Sequence, residues 1–215
     1  MNTYQFKQTG GGNYASLRAT WPFAKLTVNE TQLSLNISLC TLHFRPADLI
    51  SIEPSDSGGI RINHTVNNYR TPVIFKSFGD ARELMEQIAR TGFLNNKSAL
   101  PPDVEANILN LQAQGGFAIK LPAIILIIIG WNAILLPNFY RVIVLKQDQY
   151  FHTGPRLSSV YMILICLGLI FIAPFRELIL KEGRTLDDVK LFVCFILALC
   201  IATLIISSII PTMAA

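Results

Sequence analysis

Three stretches decide how this chain is built: Leu121–Tyr140 (LPAIILIIIGWNAILLPNFY), Leu157–Phe175 (LSSVYMILICLGLIFIAPF) and Leu191–Pro211 (LFVCFILALCIATLIISSIIP). None contains Asp, Glu, Lys, Arg or His. A bilayer core of about 30 Å is crossed by about 20 apolar residues in a helix. A charge at the centre of such a helix costs about 2.5–3.5 kcal/mol on insertion scales. One such run would suit the core helix of a soluble domain. Three in succession predict a transmembrane region, with the lipid bilayer as the first expected partner. Pro122 falls at the start of its span, and Pro137, Pro174 and Pro211 fall near span ends, where a helix can begin or stop. Phe139, Tyr140, Tyr161 and Phe192 sit near the predicted interfaces, and Trp131 lies deeper.

Inside the spans the notable polar groups are Asn132, Thr203, Ser207 and Ser208. They predict contacts between helices, including self-association, rather than a pore. The absence of ionisable residues argues against ion-coupled transport. Basic residues set an expected orientation. Lys120 and the second loop (Arg176, Lys181, Arg184, Lys190) put five on one side, and Arg141, Lys146 and Arg156 put three on the other. The excess marks the cytoplasmic side. The opening MNTYQFKQTGGGNY carries no apolar signal-peptide core. Both observations predict a cytoplasmic N-terminus and an outside C-terminus.

Working back from the spans, the chain changes character near Gly116, and residues 1–93 read as a polar domain. They hold nine basic and seven acidic side chains, too even for the basic stripe of a nucleic-acid binder. From Ala15 to Phe78, seven short segments alternate or are β-branched: SLRAT, KLTVN, QLSLNIS, TLHFR, LISIEP, IRINHT and PVIFKS. Turn material such as WPF, NET, PAD, SDSGG and NNYRT separates them. SDSGG has neither the Lys nor the following helix of a phosphate loop and reads as a hairpin turn. A helix follows in GDARELMEQIARTGF, with Asp80 as cap, Leu84, Met85 and Ile88 as the apolar face, and Gly92 as the stop. The fold class expected is α+β: about seven antiparallel strands in a bent sheet or barrel capped by a C-terminal helix, then three transmembrane helices.

Residues 94–116 join the halves. Val104, Ile108 and Leu111 recur at helical spacing after Pro101-Pro102, predicting a short helix with one apolar face. That face suits the strand domain and the membrane surface equally. Gly115-Gly116 then interrupts the helix, and the membrane region begins at residue 117.

The stretches ATWPFAKLTV, HFRPADLISIEP, GGIRINHTVNNY and VIFKSFG, in this order of strands and helix, resemble a pleckstrin-homology-like domain of the bacterial, membrane-tethered type. The resemblance covers about residues 1–93 and implies a domain that binds phosphoinositides, peptides or other domains at a bacterial plasma membrane. Inositide-binding members place a basic cluster around the first hairpin. Here the corner is Trp21-Pro22-Phe23 with only Arg18 and Lys25 beside it, which argues against inositides.

Strand alternation suggests a different basic face. In TLHFR, Leu42 and Phe44 point inward and leave His43 and Arg45 outside. In GIRINHT, Ile60 and Ile62 point inward and leave Arg61 outside, where Lys25, Arg70 and Lys76 could join it. Such a face would meet anionic headgroups or belong to an ordinary solvated strand surface.

No nucleophile elbow, HExxH, P-loop or carboxylate pair is present, so no enzyme and no cofactor are expected. His43, His64 and His152 lack metal spacing. Cys40, Cys166, Cys194 and Cys200 form no CxxC and read as small apolar residues. Asp187-Asp188 after Thr185 reads as helix capping. The function expected is a membrane-anchored, non-enzymatic interaction or scaffold protein. The rival is a subunit of an oligomeric channel or transporter that the N-terminal domain gates or assembles.

Overall fold

A computed structural model describes residues 4–56, 58–96, 98–147 and 153–213, with side chains omitted for 209–213. His152 lies outside the described residues. The chain divides into two compact units, Met1–Ala118 and Ile119–Ala215.

The first unit is a seven-stranded antiparallel sheet curled into a half-barrel. Its strands are β1 (Phe6–Tyr14), β2 (Leu17–Val28), β3 (Leu33–Ile37), β4 (Cys40–Phe44), β5 (Leu49–Pro54), β6 (Ile60–His64) and β7 (Val73–Lys76). Their spatial order is β4-β3-β2-β1-β7-β6-β5. The expected seven strands are therefore not the same seven. β1 comes from FKQTGGGNY, which carries too little apolar alternation to read as a strand. SLRAT and KLTVN are one strand, β2, which continues through Trp21-Pro22. Pro22 is tolerated because residues 20–23 fall between the paired positions Ala19↔Gly12 and Ala24↔Gly10, opposite a bulge in β1. β3 reaches only as far as Ala24. The missing N–H thus removes no ladder bond.

β1 is the hub. Its first half pairs with β2 alone, and from Gly11 to Tyr14 it pairs with β7 on its other side. The bulge at Gly10–Gly12 is where the sheet turns the corner. Side chains do not fit there. A Cβ on Gly10 would overlap the Lys76 carbonyl and lie 2.8 Å from the Phe75 ring, and one on Gly11 would lie 2.9 Å from the Ala19 carbonyl. The hairpin between β5 and β6 is the SDSGG segment, with the Ser55 N–H donating to Gly59 O at 3.0 Å.

The concave face holds the core. Leu26, Leu35, Leu42, Phe44, Ile62 and Phe75 are fully or almost fully buried. Helix α1 (Ala81–Arg90) closes the open side with Leu84, Met85 and Ile88. Its cap is as expected: Asp80 Oδ1 accepts from the Arg82 N–H at 3.0 Å, and Gly92 stops the helix at φ 78°.

Helix α2 (Pro102–Ala113) resolves the two readings of the linker in favour of the sheet. Ile108 and Leu111 are buried, and the helix packs on β4. After it, Thr41 N–H donates to Gly116 O at 2.8 Å and Ala118 N–H to Leu39 O at 3.0 Å, which continues the pairing beyond β4. Residues 94–118 belong to the first unit.

The second unit contains α3 (Leu121–Ile143), α4 (Thr153–Phe171), a short α5 (Ala173–Ile179) and α6 (Lys190–Met213). α3, α4 and α6 are long and apolar enough to cross a membrane. They alternate in direction. Gly154 at the start of α4 lies against Asn138 near the end of α3, and Arg156 reaches Ser207 near the end of α6. Close approaches again need glycine: a Cβ on Gly130 would run into the Tyr161 phenol.

The second span differs from the expected 157–175. α4 begins earlier, at Thr153, so it includes Arg156, whose charge is satisfied by the Ser207 hydroxyl at 3.1 Å and by the Ser207 carbonyl. It ends earlier too. Pro174 has no N–H for the Ile170 carbonyl and its ring crowds that turn, so the helix breaks at Ile172 and restarts as α5. The freed carbonyls of Leu169 and Ile170 accept instead from the Arg176 guanidinium at 3.1 and 3.0 Å.

One half-buried side chain, with both ring nitrogens shielded from solvent, makes this fold sensitive to pH. His64 packs against Phe44 and Tyr69, with ring centroids 5.3 and 6.0 Å away. Neither of its ring nitrogens has a hydrogen-bond partner among the described residues. Burial pushes its pKa below the ordinary 6.5, with the Asp48 carboxylate opposing. The unfolded chain therefore binds the proton first, and stability present above pH 6.5 is lost as pH falls through 6.5 toward the depressed value. Asp48 is also depressed, but from 3.8, so its contribution fades only in stronger acid. Thermal melts of the full-length protein in detergent should show a lower Tm on acidification from neutral pH to just below 6. His64→Phe should reduce that fall, and an unchanged pH slope in this variant would refute the assignment.

Candidate functional site

The residues expected on a basic face separate into three groups. His43 and Arg45 are not on an open face. His43 is buried, its Nδ1 lies 2.7 Å from Gln32 Nε2 and 3.0 Å from Ser34 Oγ, and its carbonyl accepts from Gln112 Nε2 at 2.9 Å. Arg45 is held between Asp48 at 2.7 Å and Glu105 of α2 at 2.5 Å. This is a correction to the alternation argument, which assigns the outer face of an edge strand to solvent and has no term for partners from other elements.

Asp48 organises this corner. Its carboxylate accepts from the Arg45 N–H and guanidinium and from Gln112 Nε2 at 2.6 Å. Burial pushes its pKa up, but the hydrogen bonds from Arg45 and Gln112 outweigh burial and hold it below the usual carboxylate range. These groups neutralise one another and are structural.

Lys25, Arg61 and Arg70 are exposed and come from different elements. Lys25 is on β2 opposite Thr9 and Asn36, Arg61 is on β6 opposite Glu53, and Arg70 lies in the β6–β7 loop. No single surface gathers the six.

Arg45 lines a cavity of about 490 Å³ together with its partner Glu105. Lys76 enters a second groove, which has members that strand alternation does not select. It is a cavity of about 340 Å³ lined by Gly11, Arg18, Trp21, Lys76, Ser77 and Phe78, among others. Gly11, at the corner of β1, contributes no side chain and leaves the floor open. Trp21, from the part of β2 opposite the β1 bulge, and Phe78, just after β7, form an edge-to-face pair with centroids 5.7 Å apart. Both rings face solvent, Trp21 at 55% and Phe78 at 82% exposure. An edge-to-face pair is favourable, by about 0.5–1.5 kcal/mol beyond burial. That is too little to account for two large apolar rings left in water. Arg18 and Lys76 place positive charge beside them. Aromatic rings with arginine and lysine at a concave site can hold an apolar anchor and pair with carboxylates. The sequence signal was available: Trp21 and Phe78 are aromatic residues outside the alternating core pattern.

In the second unit, the four polar residues expected at helix contacts behave differently from one another. Asn132, Thr203 and Ser208 bond back to carbonyls of their own helices, Ile128, Leu199 and Leu204, at 2.8–2.9 Å. Ser207 bonds across, to Arg156 of α4. Thr185 and Asp188 form a capping box before α6, with the Thr185 N–H donating to Asp188 Oδ2 at 2.8 Å.

No family model, curated protein or solved structure matches this chain.

Rings this exposed contribute little to the fold. Trp21→Ser and Phe78→Ser in the full-length protein should each change the Tm by no more than an ordinary surface substitution, about 0.5 kcal/mol in stability. Calorimetry in detergent checks this, and a loss of the size seen for a core aromatic, about 3–5 kcal/mol, would assign the pair to the core.

Proposed function

We propose that this chain is a non-enzymatic, membrane-anchored interaction protein whose N-terminal unit is pleckstrin-homology-like and binds a protein partner through the Trp21–Phe78 groove. The strand order β4-β3-β2-β1-β7-β6-β5 with a helix closing the open side supports the pleckstrin-homology-like reading. Three long apolar helices support multi-pass anchoring. The distribution of loop cations supports a cytoplasmic N-terminus and an outside C-terminus in a bacterial plasma membrane.

The exposed aromatic pair beside Arg18 and Lys76 carries the proposal. Interfaces concentrate their energy in Trp, Tyr and Arg anchors within pockets. The chemistry fits an acidic segment that also offers an apolar side chain. Phosphoinositide recognition is not favoured, because Arg45 is paired with Asp48 and Glu105 and His43 is buried against Gln32 and Ser34.

A photo-activatable residue at Ser77 of the full-length protein, irradiated in cells, tests this. The expected product is a discrete protein adduct that falls at least about tenfold with Trp21→Ser or Arg18→Glu, the loss of one anchor of about 1.4 kcal/mol or more. Adducts to lipid alone would favour a headgroup-binding surface, and a protein adduct indifferent to both variants would overturn the proposal. Reporter fusions at Ala215 check the orientation, where a cytoplasmic reporter should be silent.

A further inference from the structure

The second unit holds a cationic pocket that the proposed function does not use. It has a volume of about 520 Å³ and is lined by Lys120, Arg176, Lys181 and Arg184, with Glu177 and Glu182 among its other members. The four cations come from two places in the sequence, immediately before α3 and within the α4–α6 connection. Backbone pairing brings these together: the Lys120 N–H donates to Ile179 O at 2.9 Å, and Ile119 bridges Leu180. The turn at Lys181–Arg184 is closed by the Arg184 N–H on Lys181 O at 3.1 Å, with Gly183 at φ 73°.

The pocket is pre-organised. Arg176 is fixed by the Leu169 and Ile170 carbonyls freed by Pro174, which occupy two of the five N–H donors of a guanidinium. Lys120 Nζ donates to Glu177 O at 2.7 Å, which uses one of its three. Arg184 has a fully buried side chain and shares its charge with Asp188 at 3.9 Å. The cations still exceed the carboxylates in the lining. The site lies where α3 starts and beside the break that ends α4, so it is at one end of the three long apolar helices. In a bilayer that end is the headgroup level, where basic side chains meet anionic lipid.

We propose that this pocket binds a phosphate group, supplied by the headgroup of an anionic phospholipid. The inference rests on the membrane embedding of α3, α4 and α6, which is tested separately. Recovery of the full-length protein in the soluble fraction without detergent would overturn that embedding and leave the pocket chemistry a separate matter.

The probe is phosphatidylglycerol. Full-length protein is reconstituted in phosphatidylcholine bilayers with a minor fraction of phosphatidylglycerol, and lipid bound after extraction is counted by native mass spectrometry. Wild type should retain phosphatidylglycerol over phosphatidylcholine. Lys120→Gln with Lys181→Gln should lower that retention about thirtyfold, the effect of two surface charges. Arg141→Gln with Lys146→Gln, which removes the same charge from the far end of α3, should leave it unchanged. Lys181→Met alone repeats the readout, with a smaller fall of about fivefold, should the double variant aggregate. Displacement of the lipid by excess glycerol phosphate would keep the phosphate site and assign it to soluble esters. No displacement assigns it to lipid. Equal retention in all variants, or no preference for phosphatidylglycerol, overturns the proposal.

Discussion

The buried Asp48 carboxylate is the group on which the arrangement of the first unit depends. It takes hydrogen bonds from the Arg45 backbone and guanidinium on its own turn and from Gln112 on α2, more than sixty residues away in the chain. Gln112 also satisfies the His43 carbonyl on β4. Removing one partner of a buried charge typically costs about 3–5 kcal/mol, because the remaining charge is stranded. α2 is therefore held to the sheet by polar groups that are costly to separate as well as by Ile108 and Leu111. The helix engages the end of β4 through the His43 carbonyl and the Arg45 guanidinium, while the Trp21–Phe78 groove stays exposed with both rings and charge.

The groove follows from backbone geometry. A half-barrel must bend its sheet, and β1 bends at Gly10–Gly12 because the carbonyls of Lys76 and Ala19 come too close for a side chain. The same bulge interrupts the pairing of β1 with β2 between Ala19 and Ala24, so Pro22 fits and Trp21 can turn outward. Sheet curvature and the exposed aromatic pair thus share one cause.

Much of this was legible in the sequence. The first and third apolar runs, the α1 cap at Asp80, the β5–β6 hairpin and the capping box at Thr185 are local patterns, and each is where its residues place it. β1 was not legible, because a strand of polar residues and glycines carries no alternation and is defined by its neighbours on both sides. The end of α4 was misplaced by composition alone, since Ile172 and Phe175 are apolar whether or not Pro174 breaks the helix between them. His43 and Arg45 depart from strand alternation for a different reason: their partners Gln32, Ser34 and Glu105 come from other elements, and no local pattern encodes those meetings. The groove was half legible. Local pattern marks Trp21 as part of a corner and Lys76 as a surface charge; their meeting with Phe78 depends on the pairing of β1 with β7.

The central claim is that α2 is a fixed part of the N-terminal unit and not a free linker. Hydrogen exchange on the full-length protein in detergent, resolved over residues 104–112 and over β3 and β4, tests it most directly. The account predicts that α2 amides are protected together with those strands and that Gln112→Ala accelerates all of them. α2 amides that exchange at the rate of an isolated helix, while β3 and β4 stay protected, would contradict it.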